Sequence, residues 1–205
     1  PLYKERDKTY AGIKKELSPY GVCGLDFKEL ETDEKKYVKK CFKEQILPVL
    51  SPQIVDSSHP FPHLMNKDIY VTANLKHINS RKNKDDKEKE QILGIVPVPT
   101  YVSDILMLPG HDIRYIRMEK VIMEYLDLVF DQYEVSDPNY ICVTRNADVS
   151  PDDEALEVTD DFRKLMQSTL HKRRRMAVVR LETAEKLTPE MQEYFCKKFK
   201  ITPEQ

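Results

Sequence analysis

Apolar and polar positions along this chain follow two different rhythms, one of helices and one of strands. Near the start, Tyr3, Arg6, Tyr10, Ile13 and Leu17 recur at spacings of three and four, the repeat of one helical face. Pro19 and Gly21 end that helix, and a short extended piece, Val22 to Phe27, follows. Thr32 is placed to cap a second helix, whose apolar face runs through Tyr37, Val38, Cys41, Phe42 and Ile46. Pro48 stops it. Four prolines between Pro48 and Pro62 then force extended, irregular backbone.

The rhythm changes to two at Ile69. Ile69, Val71, Ala73, Leu75 and His77 alternate with other residues, and Gln91 to Val98 is apolar almost throughout. Between them, Asn79 to Glu90 is nearly all charged or polar, which predicts a long hairpin with a solvated loop. Leu108-Pro109-Gly110 reads as a turn and Ile113 to Ile116 as a short strand. Met118, Val121, Ile122, Tyr125, Leu126 and Val129 predict one amphipathic helix reaching about Phe130. Tyr140 to Thr144 is β-branched and apolar, hence a strand.

Ser150-Pro151-Asp152-Asp153 starts another helix, with Ser150 as N-cap, Pro151 in the first position and two Asp at the positive end of the dipole. Phe162, Leu165, Met166 and Thr169 continue it, and the basic run His171 to Arg175 ends it. Met176 to Leu181 reads as a strand. Thr188 and Pro189 open a last helix with Met191, Tyr194, Phe195 and Phe199 facing inward. The expected class is α+β: a mixed, largely antiparallel sheet with packed helices.

Composition narrows the function classes. Lys plus Arg number 33 and Asp plus Glu 35, a net charge of -2, which disfavours a dedicated nucleic-acid binder. No apolar run approaches the ~18 residues of a membrane span, and no signal peptide is visible. Cys23, Cys41, Cys142 and Cys196 are far apart with no CxxC pair, which predicts reduced, mostly buried thiols of a cytosolic protein. The chain starts on Pro1 rather than Met, and nothing ahead of it caps the first helix. Both features read as a piece of a longer protein.

Little of the sequence has the pattern of a catalytic site. His59 and His63 are four apart, but Pro60 and Pro62 between them forbid the helix that would put both on one face, so a rigid loop packing Phe61 inward is expected rather than a metal site. Arg145 and Asp148 stand where a strand gives way to a turn, and a structural Arg pinning that turn is the expectation. The five glycines form neither GxGxxG nor GxxxxGK[ST], so no loop-to-helix phosphate cradle is encoded. The densest positive cluster is His171-Lys172-Arg173-Arg174-Arg175. Lys172, Arg173, Arg174 and Arg175 could hold a polyanion such as polyphosphate, but the expectation is a helix ending with interface salt bridges, since cations suit the negative end of a helix dipole.

Several segments, in order, resemble the middle, or head, domain of the larger, phosphohistidine-forming bacterial polyphosphate kinases. They are Pro48-Val49-Leu50-Ser51-Pro52, His59-Pro60-Phe61-Pro62, Leu108-Pro109-Gly110, Val143-Thr144-Arg145-Asn146-Ala147-Asp148, Arg173-Arg174-Arg175 and Val179-Arg180-Leu181-Glu182. There are departures: His63 to Ile69 is more charged than in that family, and Met176-Ala177 stand where a Gly often follows the basic cluster. The resemblance implies a fold similar to small phosphohistidine phosphatases, with residues 1-20 ending a helical N-terminal domain and residues 21-205 forming the head domain. It implies an intact cytoplasmic enzyme, with membrane association left open, that moves the terminal phosphate of ATP onto polyphosphate with Mg. The catalytic residues of that enzyme lie in C-terminal domains with no counterpart here. This chain is therefore expected to carry no catalytic, cofactor or metal residue of its own. It would act as a scaffold and dimerisation domain beside the other domains of its chain, in a homo-oligomer, or alternatively as a polyphosphate-binding module using residues 172-175.

Overall fold

The computed structural model describes residues 2–78, 92–110, 112–146 and 176–203. In order, the helices are α1 (Leu2–Leu17), α2 (Thr32–Cys41), α3 (Met118–Glu124), a short helical turn α4 (Leu126–Val129) and α5 (Pro189–Phe199). The strands are β1 (Val22–Leu25), β2 (Gln53–Val55), β3 (Ile69–His77), β4 (Ile92–Pro97), β5 (Ile105–Met107), β6 (Ile113–Arg117), β7 (Tyr133–Arg145) and β8 (Val178–Thr183). They form two sheets rather than the single sheet expected. One has the order β2-β4-β3-β7-β8 and is antiparallel throughout; the other has the order β1-β6-β5, with β1 and β6 parallel.

The five-stranded sheet is buried on both faces at its centre, because alternate residues feed two separate cores. Val71, Ala73 and Leu75 of β3 join Ile92 and Val96 of β4 in a core with Phe42, Ile46, Ile116, Val121, Ile122 and Leu126. On the opposite face Tyr70, Leu93, Ile95, Ile141 and Val143 pack with Met191 and Phe195 of α5. Period-two alternation thus marks two cores rather than a core side and a water side. The β3–β4 pair is the expected hairpin, with Tyr70 opposite Pro97 and Leu75 opposite Ile92. Its loop lies outside the described residues.

Three local differences from the expected pattern have physical causes. The cap of α2 is Glu31, not Thr32: its side chain accepts from the third residue of the helix, and Glu34 returns the bond to the Glu31 N–H at 2.8 Å. The amphipathic helix from Met118 breaks at Tyr125 (φ −111°, ψ 27°). There the Tyr125 ring packs edge-on against Phe27 at 5.6 Å and lies 4.9 Å from Phe42, which fixes it where the helix cannot run on. Strand β7 starts at Tyr133, well before Tyr140. Asp137 takes a positive φ of 49° and Pro138 lacks an N–H, so both sit in a bulge opposite Ala73 and pairing resumes beyond them. The thiols also differ from expectation: Cys41 is buried, while Cys23, Cys142 and Cys196 are half-buried, and all four are free.

Two charged pairs join the layers. Glu34 of α2 is buried and receives Arg114 of β6 through Nη2 at 3.0 Å, with Nε at 2.9 Å from its other oxygen. Glu119 is buried at the start of α3, with Arg117 Nε at 2.5 Å. Both acids sit in the first turn of a helix, where the dipole also favours them.

Gly94 shows how tightly the central strands are packed, since a Cβ there would lie 2.8 Å from the Phe130 ring. Gly94→Ala is expected to cost about 1–3 kcal/mol in urea denaturation. Phe130→Leu in the same chain should recover part of the loss, a coupling of about 0.5 kcal/mol or more. Strict additivity of the two changes would show that the contact is not limiting.

Candidate functional site

The end of the five-stranded sheet where β7 finishes and β8 begins brings together two of the described residues singled out from the sequence, Arg145 and His63. Arg145 closes β7. Its Nε and Nη2 donate to the Leu64 carbonyl at 2.9 and 2.8 Å, and its Nη1 donates to the Met176 carbonyl at 2.7 Å. Its backbone N–H donates to Asn66 Oδ1 at 2.8 Å, and Lys67 N–H donates to the Val143 carbonyl at 2.9 Å. Only a planar, multi-donor guanidinium can span two carbonyls from separate segments in this way. Arg145 is structural, but what it pins is the Leu64 and Met176 segments; the turn expected after it runs outside the described residues. Burial holds its pKa below the ordinary value.

The His-Pro-Phe-Pro-His loop is rigid for reasons that have nothing to do with a metal. Asp56 accepts the backbone N–H groups of Ser58 and His59 at 2.8 and 2.7 Å, and its Oδ1 lies 2.9 Å from His59 Nδ1. The bond from the His59 N–H is the main reason its carboxyl sits below the usual range. Phe61 inserts among Tyr194, Phe195 and Phe199, with ring centroids 5.4–6.5 Å apart. His63 instead faces Arg145, with Nδ1 3.5 Å from Nη2. Among the described residues no group of three or more His, Cys, Asp or Glu is placed to hold a metal.

A charged cluster lies on the other face of the same strands. Register puts Cys142 opposite Glu182 and Thr144 opposite Arg180. Glu182 pairs with Arg180, and it lies 3.9 Å from both Lys67 Nζ and Arg6 Nη1. The Tyr3 ring is flanked by two guanidiniums, Arg180 at 4.5 Å and Arg6 at 5.0 Å, and Arg6 also pairs with Asp7 at 2.8 Å. The Arg180 bond holds the Glu182 carboxyl below its usual range, and burial pushes the neighbouring Cys142 thiol up. Exposed pairs of this kind contribute about 0–1 kcal/mol each. The cluster is therefore a charged surface more than a structural support.

Lys172, Arg173, Arg174 and Arg175 lie outside the described residues, as does Asp148. What is described is the next residue of the chain, Met176, held by Arg145 at this same end of the sheet. The Arg6–Lys67–Arg180 cluster was not singled out from the sequence. Its one local signal is Arg180-x-Glu182, two charges on one strand face; Arg6 and Lys67 come from distant segments. Also unforeseen is Asn139, buried beside β8. Its Oδ1 accepts from the Ala184 and Glu185 N–H groups at 3.1 and 3.2 Å, and its Nδ2 donates to the Glu185 carbonyl at 2.9 Å. A small cavity of about 230 Å³ between β8 and α5 is lined by Leu181, Leu187, Cys196 and Ile201, below the usual size of a ligand pocket.

Comparison with known proteins assigns the chain. The family described as the polyphosphate kinase middle domain matches residues 33–205. The chain belongs to that family. Curated relatives include the polyphosphate kinases of Halalkalibacterium halodurans, 33% identical over 189 residues, and Bacillus cereus, 33% identical over 167 residues. The two alignments cover 91% and 80% of this chain but 25% and 23% of those proteins. The chain thus spans about a quarter of the length of these relatives. A crystal structure of polyphosphate kinase from Porphyromonas gingivalis matches with a TM-score of 0.68 at 24% identity, over 96% of this chain and 26% of that one, a likeness of fold. The family match starts beyond β1, yet β1 pairs with β6 and so is part of the same sheet structure.

Replacing Arg145 by Met should cost about 2–3 kcal/mol in chemical denaturation, because the Leu64 and Met176 carbonyls lose their donors. Arg145→Lys should recover only part, since one ammonium cannot span both carbonyls. A loss below about 0.5 kcal/mol for the Met variant would contradict the pinning role.

Proposed function

We propose that this chain is a scaffold and dimerisation domain of a polyphosphate kinase. It holds the catalytic parts of a cytoplasmic enzyme in register while ATP, Mg and polyphosphate react at residues outside this chain. In this reading residues 1-20 end a preceding helical domain and residues 21-205 form the middle domain. Family membership and the quarter-length match support it.

The observation that carries it is apolar surface left uncovered in two places. Helix α1 buries no residue, so Leu2, Tyr3, Tyr10, Ile13 and Leu17 are exposed. In the three-stranded sheet, Leu106 and Ile116 turn toward the core, while Ile105, Met107 and Ile113 share the opposite, outward face and are exposed. Contiguous apolar surface on a folded domain marks a partner surface. The α1 face suits other domains of the same chain, and the sheet face suits a second copy.

Sedimentation of the chain across a range of concentrations tests the second part. The mass should rise toward twice the 24.1 kDa of one chain, and Met107→Glu with Ile113→Glu should hold it at a single chain without lowering Tm. A single-chain mass at every concentration would sink self-association through this domain.

A second reading is a polyphosphate-binding module using Lys172, Arg173, Arg174 and Arg175. It is favoured by the Arg145–Met176 bond, which fixes the residue after the run beside Lys67 and its loop. Titration with long-chain polyphosphate should then give binding that weakens steeply with salt and is lost when the four cations become Gln. No binding at low salt removes this reading.

A further inference from the structure

The face of β7 and β8 beneath α1 carries two polar atoms without a hydrogen-bond partner. Thr144 Oγ1 and Arg180 Nε are both shielded from solvent and unpaired. Because Thr144 and Arg180 stand opposite one another in the β7–β8 register, both side chains leave the same face of the sheet. Each atom can donate a hydrogen. A buried donor left unpaired costs about 1–3 kcal/mol, and two on one face call for an acceptor with more than one oxygen.

The donors around them name the kind of acceptor. Arg6, Lys67 and Arg180 meet Glu182, Asp7 and the nearby Asp68, so the charges balance and it is the N–H donors left over, not net charge, that suit an anion. Lys67 Nζ and Arg6 Nη1 lie 3.9 Å from Glu182, beyond hydrogen-bond distance, which leaves their donors available. Their side chains are 55% and 60% exposed and reachable by an ion from solvent.

We infer that Thr144, Arg180 and Lys67 form a binding site for a phosphate-class oxyanion, with Arg6 at its rim and Tyr3 as its cover. A tetrahedral oxyanion offers oxygens in several directions. Separate oxygens serve the Thr144 hydroxyl, the Arg180 Nε–H and the Lys67 ammonium. Glu182 is the built-in competitor, holding the other edge of Arg180. The Tyr3 ring lies over Arg180, but α1 buries no side chain, so its first turn can lift without opening a core. None of these residues belongs to the run 172-175, so the site stands apart from the polyphosphate-binding reading above.

The test is calorimetric titration of the 205-residue chain with sodium orthophosphate and with inorganic triphosphate, for the natural sequence and for Thr144→Val, Lys67→Gln and Glu182→Gln. Saturable binding is expected, about tenfold weaker in Thr144→Val. It should be about two- to fivefold weaker in Lys67→Gln and tighter by a similar factor in Glu182→Gln. Either anion should also raise Tm of the natural chain more than that of Thr144→Val. Equal affinity for the two anions marks a single phosphate group as sufficient, and a preference for triphosphate marks a chain end. The gain on removing Glu182 is the readout that a purely structural cluster does not give. The inference is overturned by absence of saturable binding, by affinity indifferent to Thr144→Val and Glu182→Gln, or by binding lost only when residues 172-175 are neutralised.

Discussion

Strand β3 is hydrogen-bonded along both edges, to β4 and β7, and covered on both faces, so both cores of the domain are built against it. Val71 and Ala73 have no exposed surface, and the alternating Tyr70 and Thr72 are also buried. A strand in this position has no tolerant side: its backbone polar groups must be paired within the sheet, and its side chains must fit two separate interiors. The neighbours inherit the constraint. β4 admits only Gly94 where the Phe130 ring comes down, and β7 must bulge at Asp137 and Pro138 to stay paired past Ala73.

Charge is used in two ways on this frame. Where layers meet, single acids are buried with single arginines: Glu34 caps its own helix and holds Arg114 of the small sheet, and Glu119 holds Arg117. Removing one partner of such a pair leaves a buried charge, and the Glu34–Arg114 pair ties the small sheet to α2. At the β7–β8 end Arg6 and Lys67 are exposed, and their contacts to Glu182 contribute little to stability.

These two patterns suit a domain that makes up about a quarter of its relatives' length. Apolar surface on α1 and on the small sheet, together with a charged sheet end, gives several faces around one interior. Rigidity comes from the sheet and from the loop that Phe61 and Asp56 lock to α5 and to itself.

The sequence by itself determined the main described helices, the strands β3, β4, β6 and β8, the β3–β4 hairpin, the N-cap of α5 at Thr188 and the inward Phe61 and Phe195, because these rest on local periodicity and turn chemistry; the helix expected from Ser150 lies outside the described residues. It also marked Arg145 as structural, since it stands where a strand gives way to a turn with no nucleophile and base nearby, but not the distant carbonyls it holds. What only the tertiary structure decided is whatever depends on distant segments meeting. The division into two sheets rests on β1 pairing with β6, the break at Tyr125 on Phe27 and Phe42, and the charged cluster on Arg6 and Lys67 reaching Glu182. Periodicity reports which side of an element is apolar, but not how many interiors there are to receive it. Charge pairing across long chain separations leaves no periodic trace at all, because nothing local distinguishes Lys67 from any other exposed lysine until the fold brings it to β8.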